Sequence, residues 1–492
     1  MPRPSRTWPE IVWSKDYPTT VVSRAAAAGD LVQLARGVYT PETRRPEAAV
    51  ARNWQHILAR ELPGALIADA SARWLAPRDG RLLVVHPRRK PLVLPGLRIE
   101  PREGPGPLPS DYRLGEDVWV SSEARGLLDN LAEQSDRLLR GDEIERWIDQ
   151  LASRREGAQL VNRIRDEARE IAPAIRRRAA FERLEAIIRA VLSTGPATGL
   201  RTRELRARAS GMPIDQVRLP RIEAFATYLE QQAPNRLPDS PALSVQRHLL
   251  PFYEAYFSNY IEGTEFTLDE AARIVFEDRV PPQRPQDAHD VISTYRLATD
   301  PAWRARTPAD ADELVDLLVR RHEILMAARP DKGPGQFRQE DVHAGGTPFS
   351  PWAAVEGTLR AGFEAGRRLA DPFARALFLH FLVAEVHPFA DGNGRSARLA
   401  MNAELSAASE TRIVIPTGYR NDYLGGLAAG TDGHYQPMRD IMDFARRWTA
   451  QMDFSSRPVA EDLLARCNAL VNPIVAIRDG IKLRLPTDLS RG

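Results

Sequence analysis

Apolar residues recur every three or four positions through most of the second half of the chain, and this spacing predicts a mainly α protein. The clearest case is DPFARALFLHFLVAEV, where Phe373, Leu377, Phe381 and Ala384 fall at helical intervals. It predicts a buried helix that ends at the loop HPFADGNGR, with a second helix following through SARLAMNAEL. LPFYEAYFSNYIEG reads as a further helix, and the stretch from about Ser121 to Ser193 reads as amphipathic helices with a charged outer face.

The front of the chain has a different pattern. Thr19 or Thr20 can cap a helix through VVSRAAAA that Gly29 and Asp30 end. Two short β-like pieces, Leu31 to Leu34 and Val38 to Thr40, follow and are joined by Ala35, Arg36 and Gly37. Helices followed by a basic hairpin describe a winged helix-turn-helix, an α+β domain with Ser23 and Arg24 on the candidate recognition helix and Arg36 at the wing. A scaffold that binds protein instead of DNA would carry the same pattern.

Pro/Gly-rich breaks divide 492 residues, 55.0 kDa, into more than one core. The expected division is a winged-helix domain over 1–110, a helical connector over 111–200, a larger helical domain over 201–455 and a short helical appendage over 456–492. Cys467, the single cysteine, excludes an intramolecular disulfide. The first residues lack an apolar leader and no run of 18 apolar residues occurs, so the expectation is a cytoplasmic protein with no membrane segment. Net charge is only +2, but residues 1–100 hold 16 Lys/Arg against 9 Asp/Glu, which suits contact with nucleic acid as well as a solvated basic face.

The candidate chemistry lies in the loop between the two apolar helices. Gly392, Asn393 and Gly394 can turn successive backbone N–H groups into one concavity at a helix start, a geometry that binds phosphate. Arg395 and Arg398 follow three residues apart, on one helix face, and suit the β- and γ-phosphates. Asp391 offers a hard oxygen ligand for Mg²⁺. His387 supplies a base whose ordinary pKa near 6.5 suits proton removal from a hydroxyl. A hairpin turn or a calcium loop would also use DGNG, but neither the flanking strands nor the further acidic ligands are present. Phe389 reads as the loop's anchor in the core.

HPFADGNGRSAR resembles the Fic family motif, H-x-F-x-[D/E]-G-N-G-R-x-x-R, at every specified position. The resemblance spans about Tyr253 to Phe454 and implies an all-α bundle with a β-hairpin flap. It implies transfer of AMP from ATP to a Tyr, Thr or Ser hydroxyl of a protein, with His387 as base, Asp391 on Mg²⁺, the Gly392–Gly394 nest on the phosphates and Arg398 on the γ-phosphate. GQFRQEDVHAGG, residues 335–346, resembles the family's flap, with Phe337 and Val342 as target contacts. RNDYLGGL resembles the segment closing the adenine side, with Tyr423 as its candidate. Ser258, Glu262 and Gly263 fit the family's inhibitory pattern [S/T]-x-x-x-E-[G/N], which implies that Glu262 pairs with Arg398 and displaces the γ-phosphate. At the other end, VVSRAAAAGDLVQLARGVYTPE resembles the N-terminal domain of AbiEi-type antitoxins and related regulators.

These resemblances lead to a self-restrained protein AMP-transferase whose partner is a hydroxyl-bearing protein or the chain itself. The alternatives are a DNA-binding regulator or antitoxin-like protein whose helical domain is a sensor, use of another nucleotide, and reversal of the modification by water placed against Glu262.

Overall fold

The computed structural model describes residues 7–115, 117–132, 135–344 and 347–490, and the chain divides into two compact units, Met1–Gly211 and Met212–Gly492. Helices dominate, and strands are confined to the first unit and one small hairpin of the second.

In the first unit, β1 (Val12–Trp13), β2 (Val32–Ala35) and β3 (Val38–Thr40) form an antiparallel sheet in the order β1-β3-β2. The hairpin turn is where the sequence puts it, with Gly37 at φ 80°. Helix α1 (Thr19–Ala27) is capped by Pro18, not by Thr19 or Thr20, and no side chain bonds its first turn. Among the described residues α1 is the one α-helix before the hairpin, because Val12 and Trp13 pair with β3 as a strand. Of the short helices expected ahead of the wing, α1 and one 3-10 turn (Ser14–Asp16) form among the described residues; the next α-helix, α2 (Pro46–Glu61), comes after it. Ser23, Arg24 and Arg36 are exposed, and Ser23 Oγ donates to Thr19 O within its own helix.

A mixed six-stranded sheet follows, built from β4 (Ala65–Ile67), β5 (Arg81–Val85), β6 (Leu92–Leu94), β7 (Leu97–Arg102), β8 (Tyr112–Arg113) and β9 (Val118–Val120) in the order β6-β7-β5-β4-β9-β8. β4 runs parallel to β9 and β5 parallel to β7. Helix α3 (Asp69–Trp74) lies between β4 and β5. The helices α4 (Glu123–Asn130), α5 (Gly141–Ala152), α6 (Gly157–Ile171), α7 (Arg178–Val191) and α8 (Arg203–Ala209) share a core around Leu128, Trp147, Val161 and Leu184.

The second unit comprises α9 (Arg218–Glu230), α10 (Leu250–Ile261), α11 (Leu268–Glu277), α12 (Pro285–Thr299), α13 (Pro301–Arg304), α14 (Ala311–Met326), the hairpin β10 (His343–Ala344) and β11 (Thr347–Pro348), then α15 (Val355–Gly366), α16 (Pro372–Val386), α17 (Asn393–Ala407), α18 (Arg420–Thr431), α19 (Tyr435–Gln451), α20 (Arg457–Arg466) and α21 (Pro473–Asp479). Helix α16 is buried on almost every side, since Phe373, Leu377, Phe381 and Leu382 all face core. At about 1.5–3 kcal/mol for each such side chain, its position is fixed by burial more than by helix propensity. Gly362 and Gly366 of α15 allow close approach: a Cβ at Gly362 would lie 2.6 Å from Leu382, and one at Gly366 2.2 Å from Phe378. Residues of the expected appendage, among them Ala460, Leu464 and Cys467, lie in one core with Phe252, Tyr253 and Trp448 of this unit. Among the described residues no helix is long and apolar enough to cross a membrane.

Candidate active site

Helix α16 ends at His387, whose N–H bonds Val383 O at 2.9 Å while its backbone turns to φ 55°, ψ 63°. This left-handed conformation costs a non-glycine residue about 1–2 kcal/mol, so something must impose it. Arg338 does, from a position just ahead of the hairpin. Its Nε donates to His387 O at 2.8 Å, its Nη2 to Ser350 O and to Val386 O at 3.5 Å, and its Nη1 to Glu340 O at 2.8 Å. Its backbone N–H donates to Pro388 O at 3.0 Å. Truncating a buried guanidinium that satisfies several carbonyls leaves them without donors. Arg338→Ala is therefore expected to destabilise the second unit by about 2–4 kcal/mol, read as a lower denaturant midpoint.

The His387 ring stacks on Phe349, centroids 3.8 Å apart and planes 11° from parallel. Burial pushes its imidazole down to about 4, the positive charges of Arg338 and Arg218 press the same way, and a hydrogen bond to the Ala384 backbone and the charge of Glu262 oppose them. Because a base is competent above its pKa, His387 stands neutral throughout the physiological range. The His387 imidazole resonances are thus expected to show no titration between pH 6 and 8 when followed by NMR; a midpoint near 6.5 would contradict the burial argument.

Beyond His387 the loop is clamped from within. Asn393 Oδ1 accepts from Phe389 N at 2.9 Å and its Nδ2 donates to Phe389 O at 2.8 Å, so this side chain holds the loop and leaves only backbone for a ligand. Phe389 is fully buried and stacks on His322 of α14 at 3.7 Å, planes 4° apart. Gly335 N donates to His322 Nδ1 at 3.1 Å, which leaves the ring proton on Nε2 to donate to Asp391 O, also at 3.1 Å. Burial pushes His322 down to about 4, consistent with this neutral form. Gly392, at φ 74°, caps α17, and no side chain bonds the first turn of that helix. A Cβ on Gly392 would come within 3.0 Å of Met326 Sδ.

Arg398 lies one turn into α17, almost wholly buried. Its Nε donates to Ser258 Oγ at 2.9 Å, its Nη2 to Ser258 O at 2.9 Å and to Glu262 Oε1 at 2.7 Å, and its Nη1 to Tyr423 OH at 3.2 Å. Glu262, the C-cap of α10, lies directly over the start of α17, since a Cβ on Gly394 would fall 2.2 Å from Glu262 Oε1. Gly263 follows at φ 90°, where glycine is the cheapest residue. The carboxylate of Asp391 is 40% exposed; its Oδ1 accepts from Gly392 N at 2.6 Å and lies 3.8 Å from Arg395 Nη2.

Three sequence expectations change. Arg395 does not reach toward the loop's ligand side: its Nη1 sits 3.1 Å from the buried carboxylate of Asp290 and its Nη2 contacts Met326 Sδ. Tyr423 is not at an open base pocket. It is 2% exposed, with its hydroxyl between Arg398 and His380 Nε2, the latter at 2.8 Å. Phe337 packs on Phe389 and the core, ahead of the hairpin, rather than presenting itself to a target. Val342 does begin the hairpin, its carbonyl accepting from Phe349 N at 3.1 Å, while Gly345 and Gly346 lie outside the described residues. His387, Asp391, the Gly392–Gly394 loop, Arg398, Ser258 and Glu262 are brought together. Arg338, His322 and Phe349 were missed, because each acts through contacts between segments far apart in the chain, for which no local spacing exists.

A neutral buried imidazole, a glycine-bounded loop opening a helix, and a buried arginine, carried by two packed helices, define a helical domain whose site suits phosphate chemistry. Residues 312–405 match the Fic/DOC family. The chain is 29% identical over 198 residues to a protein adenylyltransferase Fic of Drosophila yakuba, covering 39% of this chain and 40% of that protein. It is 30% identical over 199 residues to one of Drosophila mojavensis, covering 39% of each. It therefore spans about two fifths of the length of these curated relatives. A solved Fic-1 fragment from C. elegans aligns at 21% identity with a TM-score of 0.37, over 63% of this chain and 95% of the fragment.

Proposed function

We propose that the second unit transfers AMP from ATP to a Tyr, Thr or Ser hydroxyl of a protein, and that Glu262 restrains it. The observation that carries this reading is the placement of Glu262 over the start of α17, where it pairs with Arg398 and its charge acts on His387 at the end of α16, together with the adenylyltransferase names of the relatives. In the reaction His387 takes the proton of the target hydroxyl, whose oxygen bonds the α-phosphorus of ATP. The bond from that phosphorus to the bridging oxygen of the β-phosphate breaks, and pyrophosphate leaves. The backbone N–H groups opening α17 and the guanidinium of Arg398 stabilise the phosphate charge.

Asp391 fits a Mg²⁺ site: its carboxylate is half exposed and both of its contacts use Oδ1, leaving Oδ2 for a hard cation. Such an ion supplies charge neutralisation on phosphate oxygens. Arg395 steadies Asp391 from behind and holds no phosphate in this scheme. The flap, through Val342 and the hairpin backbone, would align an extended target segment by main-chain pairing.

Incubating the Glu262→Gly chain with Mg²⁺ and α-labelled ATP, GTP, UTP or CTP, alone and with lysate, tests the donor. Protein labelling from ATP above the other three is the expected result; equal labelling from all four, or preference for another, overturns the choice of AMP.

A second reading, DNA contact by the first unit, draws on the exposed Arg24 and Arg36 and on the basic excess of residues 1–100. Binding to duplex DNA that weakens steeply as salt rises would support it.

A further inference from the structure

In the first unit, a cleft of about 340 Å³ opens between the start of α7, the end of α4 and the edge of α3. Five arginines line it, Arg102, Arg137, Arg176, Arg177 and Arg183, with Asp69 as the one acidic residue of the lining among the described residues. Asp69 and Asp129, both buried, anchor three of them. Arg102 holds Asp69 through Nε at 3.0 Å and Nη2 at 2.7 Å, Arg137 Nε holds Asp69 Oδ2 at 2.9 Å, and Arg177 Nε holds Asp129 Oδ1 at 3.1 Å. The anchoring fixes the guanidinium planes without neutralising the cleft, because among the described residues five arginines face three carboxylates, those of Asp69, Asp129 and Glu100.

Arg176 and Arg183 are exposed, and neither pairs with a carboxylate among the described residues; Arg183 Nη1 donates to the Leu131 carbonyl at 3.0 Å. Arg176 sits at φ 57°, a backbone position after α6 where glycine would cost about 1 kcal/mol less. Asp69 likewise holds φ 54° while buried. Helix α7 begins at this wall with no side chain capping it, and Ala179 and Ala180 of its first turn line the cleft. Clustered guanidinium groups repel one another, and a multivalent oxyanion relieves that repulsion while filling their forked donors.

We propose that this cleft binds a phosphoryl group, carried either by a free nucleotide or by a nucleic-acid backbone. The proposal is independent of the transferase reading. Inorganic pyrophosphate is the probe, titrated by calorimetry into the full chain carrying Arg398→Ala, which weakens anion binding in the second unit. Binding is expected there, with a loss of at least tenfold when Arg176→Ser and Arg183→Ser are added. Arg176→Lys with Arg183→Lys is expected to retain most of it, which separates lost charge from a damaged fold. Displacement of the pyrophosphate by AMP would assign the free nucleotide, and displacement by a short DNA duplex the nucleic-acid backbone. The absence of binding to the Arg398→Ala chain, or equal binding after the two serine substitutions, overturns the proposal.

Discussion

Replacing Glu262 by glycine is expected to raise AMP transfer about 10- to 100-fold. The buried guanidinium of Arg398, only 5% exposed, has Glu262 at 2.7 Å as its one carboxylate partner among the described residues. A hydrogen bond between charged groups is worth about 1.5–3 kcal/mol, which corresponds to roughly one to two orders of magnitude in the competition between Glu262 and an incoming phosphate. Without the carboxylate, Arg398 keeps Ser258 and Tyr423 but lacks a counter-charge, and a buried unpaired cation is costly. The variant is accordingly expected to melt below the wild type without nucleotide and to recover when ATP supplies the anion. Equal transfer by the two chains in a labelling time course would end the restraint hypothesis.

Loss of the base is the second large effect. In the Glu262→Gly background, His387→Ala is expected to lower transfer by about 10²- to 10⁴-fold, the usual contribution of a placed general base. The reason is positional as well as chemical. His387 is the residue at which α16 stops, its ring is fixed against Phe349, and burial keeps it unprotonated. Single-turnover rates separate this from a binding defect, because the substitution leaves Arg398 and the loop backbone in place; unchanged affinity for ATP with a lost chemical step is the expected pattern.

How far the sequence reached depends on which forces act locally. Helices α16 and α17 were readable because their apolar period and the glycine break between them are properties of contiguous residues, and the pairing of Glu262 with Arg398 was readable only through the family pattern. Arg395 was misplaced because helical spacing gives a face but not the depth of burial, and Asp290, on a distant helix, takes its charge. Tyr423 was misplaced for the same reason, since its hydroxyl is drawn into the interior by Arg398 and His380. The front end was partly legible: the β2–β3 hairpin follows from Arg36 and Gly37, whereas the pairing of Val12 and Trp13 with β3 depends on residues far along the chain. Of the six-stranded sheet, the run LLVVHPRRKPLVLPGLRI reads as β-rich and falls on β5, β6 and β7, whereas the parallel pairings of β4 with β9 and of β5 with β7 join segments that no local period connects.

The central claim, that this site moves the α-phosphoryl of ATP with its nucleoside and that Glu262 stands where the γ-phosphate must go, has one direct test. Wild type, Glu262→Gly, and Glu262→Gly with His387→Ala are each incubated with Mg²⁺ and with ATP labelled on either the α- or the γ-phosphate. The account predicts protein-bound label from α-labelled ATP in the Glu262→Gly chain, far less in the other two, and none from γ-labelled ATP. Protein-bound γ-label, or α-label that persists after His387→Ala, would contradict it.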